Sequence, residues 1–251
     1  MKTSKLICFL LLILSFSCKH ESKEIVFKGT LSNSIEKQIY LYKVTPDGSF
    51  LIDSSEIKKG NFVFEVSGSD KAEKEALKEP AFYTLMLSPD NAFTTLARSG
   101  EKIEIKADAN NLVKTYTVTG SQDAILLWQL DRALKNFIDT TDYLYSIYEA
   151  NMEDDSVRMQ IENEYNKLIL NHTNYLKQFI ADNPASLSTL IAFYQVYNKR
   201  NFFDENKNLD LLKNIYNQLI VYYPNNENVV FLGKRIKIIS SKVPDENIIK
   251  K

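Results

Sequence analysis

Residues 116–138 read YTVTGSQDAILLWQLDRALKNFI, and two periods meet inside them at Gly120 and Ser121. Before the glycine, Tyr116 and Val118 alternate with threonines, the two-residue period of a strand with one buried face. After it, Ile125, Leu126, Leu130, Leu134, Phe137 and Ile138 recur at the three-to-four-residue spacing of an amphipathic helix. Ser121 stands where a helix N-cap belongs. The change of period predicts a strand-built unit over residues 24–120 and a helical unit over 121–240.

Upstream of the switch the strand signals repeat. Phe27 and Leu31 flank Gly29, Ile39-Tyr40-Leu41-Tyr42 is a β-rich run, and Pro46-Asp47-Gly48-Ser49 supplies turn chemistry before a strand over residues 50–57. After the Lys59-Gly60-Asn61 turn, Phe62, Phe64 and Val66 alternate. Residues 83–87 and 94–97 read as further strands, and Ser99-Gly100-Glu101 turns the chain into Ile103 and Ile105. Many short strands at this spacing predict an antiparallel sandwich or barrel-like domain. The charged stretch 70–79 reads as an inserted loop or short helix.

Downstream, about five helices are expected, giving an α+β chain overall. Helix spacing continues through Leu144 and Tyr148. A second stripe runs from Val157 through Ile161, Tyr165, Leu168, His172 and Leu176 to Phe179, and Asp182-Asn183-Pro184 ends it. A third, a fourth and a fifth helix carry Leu190, Ile215 and Ile236, with residues 198–208 as a polar loop between the third and the fourth. Pro184 and Pro224 follow helix ends 40 residues apart, which would suit a helical repeat, but few other positions match at that offset and a plain bundle is expected. Residues 241–251 read as a polar tail.

The N-terminus reads as an export signal over residues 1–17. Lys2 and Lys5 precede the apolar run 6–14, which is far shorter than the roughly 20 residues needed to span a bilayer. Leu14-Ser15-Phe16-Ser17-Cys18 resembles a lipoprotein box, with its leucine one place early and a bulky Phe16. Cleavage before Cys18 would make that residue the lipid-bearing start of the mature chain, followed by a polar tether over 18–23; the plainer alternative is secretion with an incidental cysteine. Cys8 falls within the signal, so Cys18 is the one thiol expected to remain, and no disulfide, CxxC pair or thiolate metal site is expected. The expected location is the cell envelope, palmitoylated and outer-membrane-anchored, facing the periplasm or the surface, because two or more acyl chains anchor stably.

Charge and composition narrow the function. At 44% hydrophobic and 25% charged, the 251 residues suit a folded protein. Losing Lys2 and Lys5 from 31 basic residues leaves 29 against 32 acidic ones, so no basic excess exists for nucleic acid. His172 lies on an apolar stripe with no second histidine nearby in sequence, and a structural, hydrogen-bonded role is expected rather than a catalytic or metal one. Ser54 and Ser55 lack a histidine base for nucleophilic chemistry. The acidic run 153–155 reads as a solvated helix start, and the helix tyrosines 143, 145, 148, 165, 175, 194 and 197 read as core. Asp139-Thr140-Thr141 and Asp155-Ser156-Val157 resemble a short O-glycosylation motif, which makes Thr140 and Ser156 candidate acceptors.

Phe27-Lys28-Gly29, Ile39-Tyr40-Leu41-Tyr42, Ile52-Asp53-Ser54, Gly60-Asn61-Phe62-Val63-Phe64, Ser99-Gly100-Glu101 and Val118-Thr119-Gly120-Ser121 together resemble the DUF4369 domain. That domain occurs in the N-terminal part of Bacteroidetes thiol-disulfide lipoproteins of the TlpA/ResA-like kind. The helical region with Asn183-Pro184-Ala185-Ser186 is similar to the segment that follows it there. The resemblance implies a thioredoxin-like domain beginning about where this sequence reaches Lys251, so the CxxC catalytic residues have no positions here onto which to be carried. The expectation is a non-catalytic, lipid-anchored protein without cofactor or metal that binds or scaffolds an envelope protein, peptide or glycan. An alternative is a docking module for a separate thioredoxin-like oxidoreductase.

Overall fold

A computed structural model describes residues 24–242. The signal, Cys18, the tether and nearly all of the tail therefore lie outside the described residues. The strand unit comprises β1 (Ile25–Ser32), β2 (Gln38–Thr45), β3 (Gly48–Glu56), β4 (Asn61–Val66), a short helix α1 (Lys71–Ala76), β5 (Ala81–Ser88), β6 (Asn91–Ala97), β7 (Lys102–Asp108), a one-turn α2 (Leu112–Thr115) and β8 (Thr117–Thr119). The helical unit comprises α3 (Gln122–Ala150), α4 (Asp155–Asp182), α5 (Ser188–Phe193), a hairpin of β9 (Val196–Tyr197) and β10 (Arg200–Asn201), α6 (Leu209–Tyr222) and α7 (Glu227–Lys242). The chain is α+β. Its five helices after Ser121 match the periodic count, and the stretch expected as a polar loop over 198–208 contains the turn and second strand of the small hairpin, whose first strand precedes it.

The strands form two four-stranded sheets, β4-β1-β7-β8 and β3-β2-β5-β6, packed face to face as a sandwich and not closed as a barrel. The first sheet is mixed, because β1 runs parallel to β7, with Phe27 opposite Ile103 and Leu31 opposite Ala107, while every other pair is antiparallel. Period-two alternation puts Phe27, Phe62, Phe64, Ile103 and Ile105 of the first sheet against Ile39, Leu41, Tyr83 and Leu85 of the second. A Cβ on Gly29 would stand 2.0 Å from Cζ of Phe62, its cross-strand neighbour, so the ring lies across the bare backbone. Tyr83 and Thr95 face each other across β5 and β6, and both hydroxyls are buried without a partner among the described residues. A buried unmade hydrogen bond destabilises, so Tyr83→Phe is expected to raise stability by about 1 kcal/mol. A urea midpoint that falls instead would show the hydroxyl to be bonded.

The second sheet is apolar on both faces at one end. Phe82 and Leu96 turn away from the sandwich and join a second core with Leu127, Leu130, Leu176, Phe193 and Leu212. A polar seam runs beside it: Ser186 Oγ donates to Asp123 Oδ1 at 2.6 Å, Asn226 Nδ2 donates to the Pro80 carbonyl at 2.9 Å, and Lys43 pairs with Glu227 at 3.0 Å. Ser121 caps α3 by accepting from the Ala124 N–H at 3.3 Å. The two lobes are therefore joined by shared core and by hydrogen bonds.

Beyond the layer of Phe137 and His172, the α3–α4 hairpin projects by roughly 20 Å at 1.5 Å per residue. Thr141 is the last buried residue on α3, and His172 is the first on α4.

Candidate functional site

The groove between the lobes is the leading candidate site. The outer face of β5 and β6 forms its floor with Phe82, Ala92 and Thr94. Leu127 and Asp131 of α3, Ile191 of α5 and Phe231 of α7 wall it, and the Val44-Thr45-Pro46 turn forms a lip. Its volume is ≈ 580 Å³, within the range of small-ligand clefts, and it sits at a junction of units where such clefts concentrate. Phe231 and Val113 on the rim are 52% and 42% exposed, so apolar surface is presented to solvent there. The floor is apolar because β2, β5 and β6 carry hydrophobic residues on the outer face where a one-sided sheet would carry polar ones.

One carboxylate enters this apolar setting. Asp131 Oδ2 accepts the Tyr116 hydroxyl at 2.5 Å, and Tyr116 is itself stacked on Phe93 with centroids 4.1 Å apart. The Trp128 indole N–H donates to the Tyr116 carbonyl at 2.8 Å, and the Arg132 guanidinium lies 5.2 Å from the Tyr116 ring centre. Arg132 also donates to the Val113 and Lys114 carbonyls, tying the end of α2 to α3. Burial pushes the Asp131 carboxyl above the usual carboxylate range, against the opposing pull of the Tyr116 hydroxyl and of Arg132. Burial, and then the charge of Asp131, push the Tyr116 phenol well above its ordinary value. A carboxyl of raised pKa in an apolar groove is a hydrogen-bonding point for an incoming polar group. On the far wall the Tyr194 hydroxyl donates to Glu205 at 2.9 Å, and Arg235 Nε donates to the same carboxylate at 3.0 and 3.1 Å, holding α5 against α7.

The residues singled out in the sequence do not converge on this groove. His172 is buried in the helical lobe, its ring centre 4.7 Å from that of Phe137 and 4.6 Å from that of Phe202. Its Nε2 lies 2.6 Å from Gln195 Oε1, and because a carbonyl oxygen only accepts, the ring nitrogen carries the proton. Burial holds the His172 pKa below the ordinary histidine value, with the Gln195 bond opposing. With a depressed folded pKa, this group's contribution is complete above the unfolded value of about 6.5 and is lost as pH falls. His172→Gln is therefore expected to shrink the fall in urea midpoint between neutral pH and about pH 5. Equal falls in both proteins would remove His172 as the cause.

Thr140 lies within α3 and donates its hydroxyl to the Asn136 carbonyl at 2.8 Å. Ser156 is exposed in the first turn of α4, its N–H bonded to the capping Asp154 at 2.9 Å. Ser55 Oγ accepts from the Val63 N–H at 3.2 Å, a backbone-satisfying role. The tyrosines correct the sequence reading. None of the seven is in the core: Tyr143, Tyr145, Tyr148 and Tyr165 lie on the half of the α3–α4 hairpin that projects beyond the packed layers, and Tyr175, Tyr194 and Tyr197 stand partly exposed at the surface of the helical lobe. The inter-lobe groove left little mark in the sequence, since its lining comes from seven elements, the end of β2 with β5, β6, α2, α3, α5 and α7. Its one local trace is the apolar residue on the wrong face of a strand, Phe82 beside Tyr83.

Among the described residues no group of three or more His, Cys, Asp or Glu side chains could hold a metal ion, and no helix is long and apolar enough to cross a membrane. A comparison with curated proteins finds no match. Residues 25–126 match the family described as a domain of unknown function, DUF4369, from the first residue of β1 into the opening turn of α3. The two-sheet lobe, together with the start of the helix that closes the groove over it, is a DUF4369 domain.

Proposed function

We propose that the protein is a non-catalytic, lipid-anchored envelope protein that binds another envelope component through the groove between its lobes. The observation that carries this reading is the apolar cleft of ≈ 580 Å³ with one half-buried carboxyl, Asp131, at its edge. Such a lining favours an apolar polypeptide segment with a polar group able to meet Asp131, over a sugar chain needing many polar contacts. The Cys18 anchor is supported by the signal-like run that precedes it. The role would be to hold a partner close to the membrane surface.

Photo-crosslinking in cells tests the groove. A benzophenone amino acid placed at Phe231 is expected to trap one discrete partner, and the same probe at Val63 on the opposite face is expected not to. Identical adducts from both positions would reject the groove as the binding surface. Recovery of a separate thioredoxin-like lipoprotein from Phe231 would specify the partner as an oxidoreductase. An insulin-reduction assay on the purified protein is expected to be blank, and turnover without added enzyme would overturn the non-catalytic reading. Cys18→Ala is expected to abolish palmitate incorporation and membrane fractionation. A wild-type protein without lipid would overturn the anchor alone.

A further inference from the structure

The projecting half of the α3–α4 hairpin carries a second groove, remote from the first. Tyr145 and Tyr148 of α3, Tyr165 of α4 and Tyr197 of β9 line a cleft of ≈ 520 Å³, with Asp142 and Glu162 at its sides. Tyr145 is 60% exposed, and the other three rings are partly so. Four phenol rings held open to solvent are unusual on a hairpin whose sequence otherwise has the apolar stripe of a packed helix pair.

The charge along the helical segment that carries three of these rings is one-sided. Residues 139–165 contain eight acidic side chains and a single basic one, Arg158, in a chain whose overall formal charge is −1. Arg158 is engaged with Asp155, and Asp139 and Glu164 pair with Lys135 and Lys167 outside the segment. Neither Asp142 nor Glu162 is in an ion pair among the described residues. Lys199 and Arg200 follow Asn198 in the β9–β10 hairpin but are not part of the lining, whose charged side chains are Asp142 and Glu162 of the helical walls. Aromatic faces attract cations through their quadrupole, and flanking carboxylates add charge attraction in the same place. A neutral glycan gains nothing from that field, and an acidic one is repelled.

We propose that this tyrosine-lined cleft is a second binding site, taking a lysine- or arginine-rich segment of a protein partner. Each cationic side chain would lie over a phenol face with its charge directed at Asp142 or Glu162. The site is independent of the inter-lobe groove: it shares no residue with it and faces a partner of different chemistry.

The test uses the full-length protein in detergent and fluorescein-labelled octa-arginine, followed by anisotropy. Wild-type protein is expected to bind the peptide and to lose affinity as salt rises. The Asp142→Asn/Glu162→Gln variant and the Tyr145→Ala variant are each expected to bind about tenfold more weakly with unchanged melting temperature. A Glu153→Gln variant, which removes a charge nearer the tip and outside the cleft lining, is expected to change affinity less than about twofold. Equal weakening in the tip variant would reduce the effect to a diffuse acidic field. Undiminished binding in the cleft variants, or displacement of the peptide by a neutral oligosaccharide, would overturn the proposal.

Discussion

Gly120→Ala is expected to be among the most destabilising single substitutions in the protein, at about 3–5 kcal/mol. Two costs fall on the same atom. Gly120 has φ +91°, a backbone region that a residue with a Cβ enters only under strain. A Cβ there would also stand 1.9 Å from the Lys102 carbonyl oxygen, which belongs to the β7 backbone and has nowhere to retreat. The glycine sits between the last residue of β8 and the cap of α3, so the strain lies where the strand unit hands over to the helices. Gly48→Ala provides the comparison. Its φ is +141°, but a Cβ there meets nothing within 4 Å, so only the backbone cost applies. Urea unfolding of both variants is expected to place Gly120→Ala at least about 1–2 kcal/mol below Gly48→Ala. Equal losses would mean that the approach to Lys102 relaxes freely.

Leu96→Ala is expected to cost about 3–4 kcal/mol and to lower both lobes together. Leu96 is fully buried, sits on a strand of the sandwich and packs in the helical core. Removing it opens a cavity in the joint rather than within either lobe. Trp128, the single tryptophan, packs against the sandwich core and reports on that lobe, and far-ultraviolet circular dichroism is dominated by the helical unit. Both probes are expected to show one transition in the wild type and in the variant, displaced by the same amount. A variant in which the helical signal moves and the tryptophan signal stays would show that the lobes unfold separately.

Local features carried much of this architecture in the sequence. The period switch at Gly120 and Ser121 is a backbone constraint and a cap side by side, and both are readable from residue type. The acidic start of α4 is equally local: Asp154 caps it through the Ser156 and Val157 N–H groups. Pairings between distant segments left no such mark. Nothing in Ile25–Ser32 announces a parallel partner some seventy residues later, because a central strand in a parallel and an antiparallel pair needs the same alternation. The tyrosines misled for a related reason. Helical spacing shows which residues share a face, but burial of that face depends on whether another element covers it. Over the distal hairpin β9 reaches that face at Tyr197, and the rings there stay partly exposed. His172 was readable as structural from its apolar stripe, while its partner Gln195 lies 23 residues on and beyond an intervening helix.

The place of β1 in its sheet has a mechanical meaning. Six residue pairs join it to β4 on one side and seven join it to β7 on the other. A pull applied at Glu24 along the strand would load both ladders in shear at once, with hydrogen bonds sharing the force across the strand. An edge strand such as β3 would instead peel open pair by pair. Under the proposed Cys18 anchor, force from the membrane would enter the described fold at one of its strongest points.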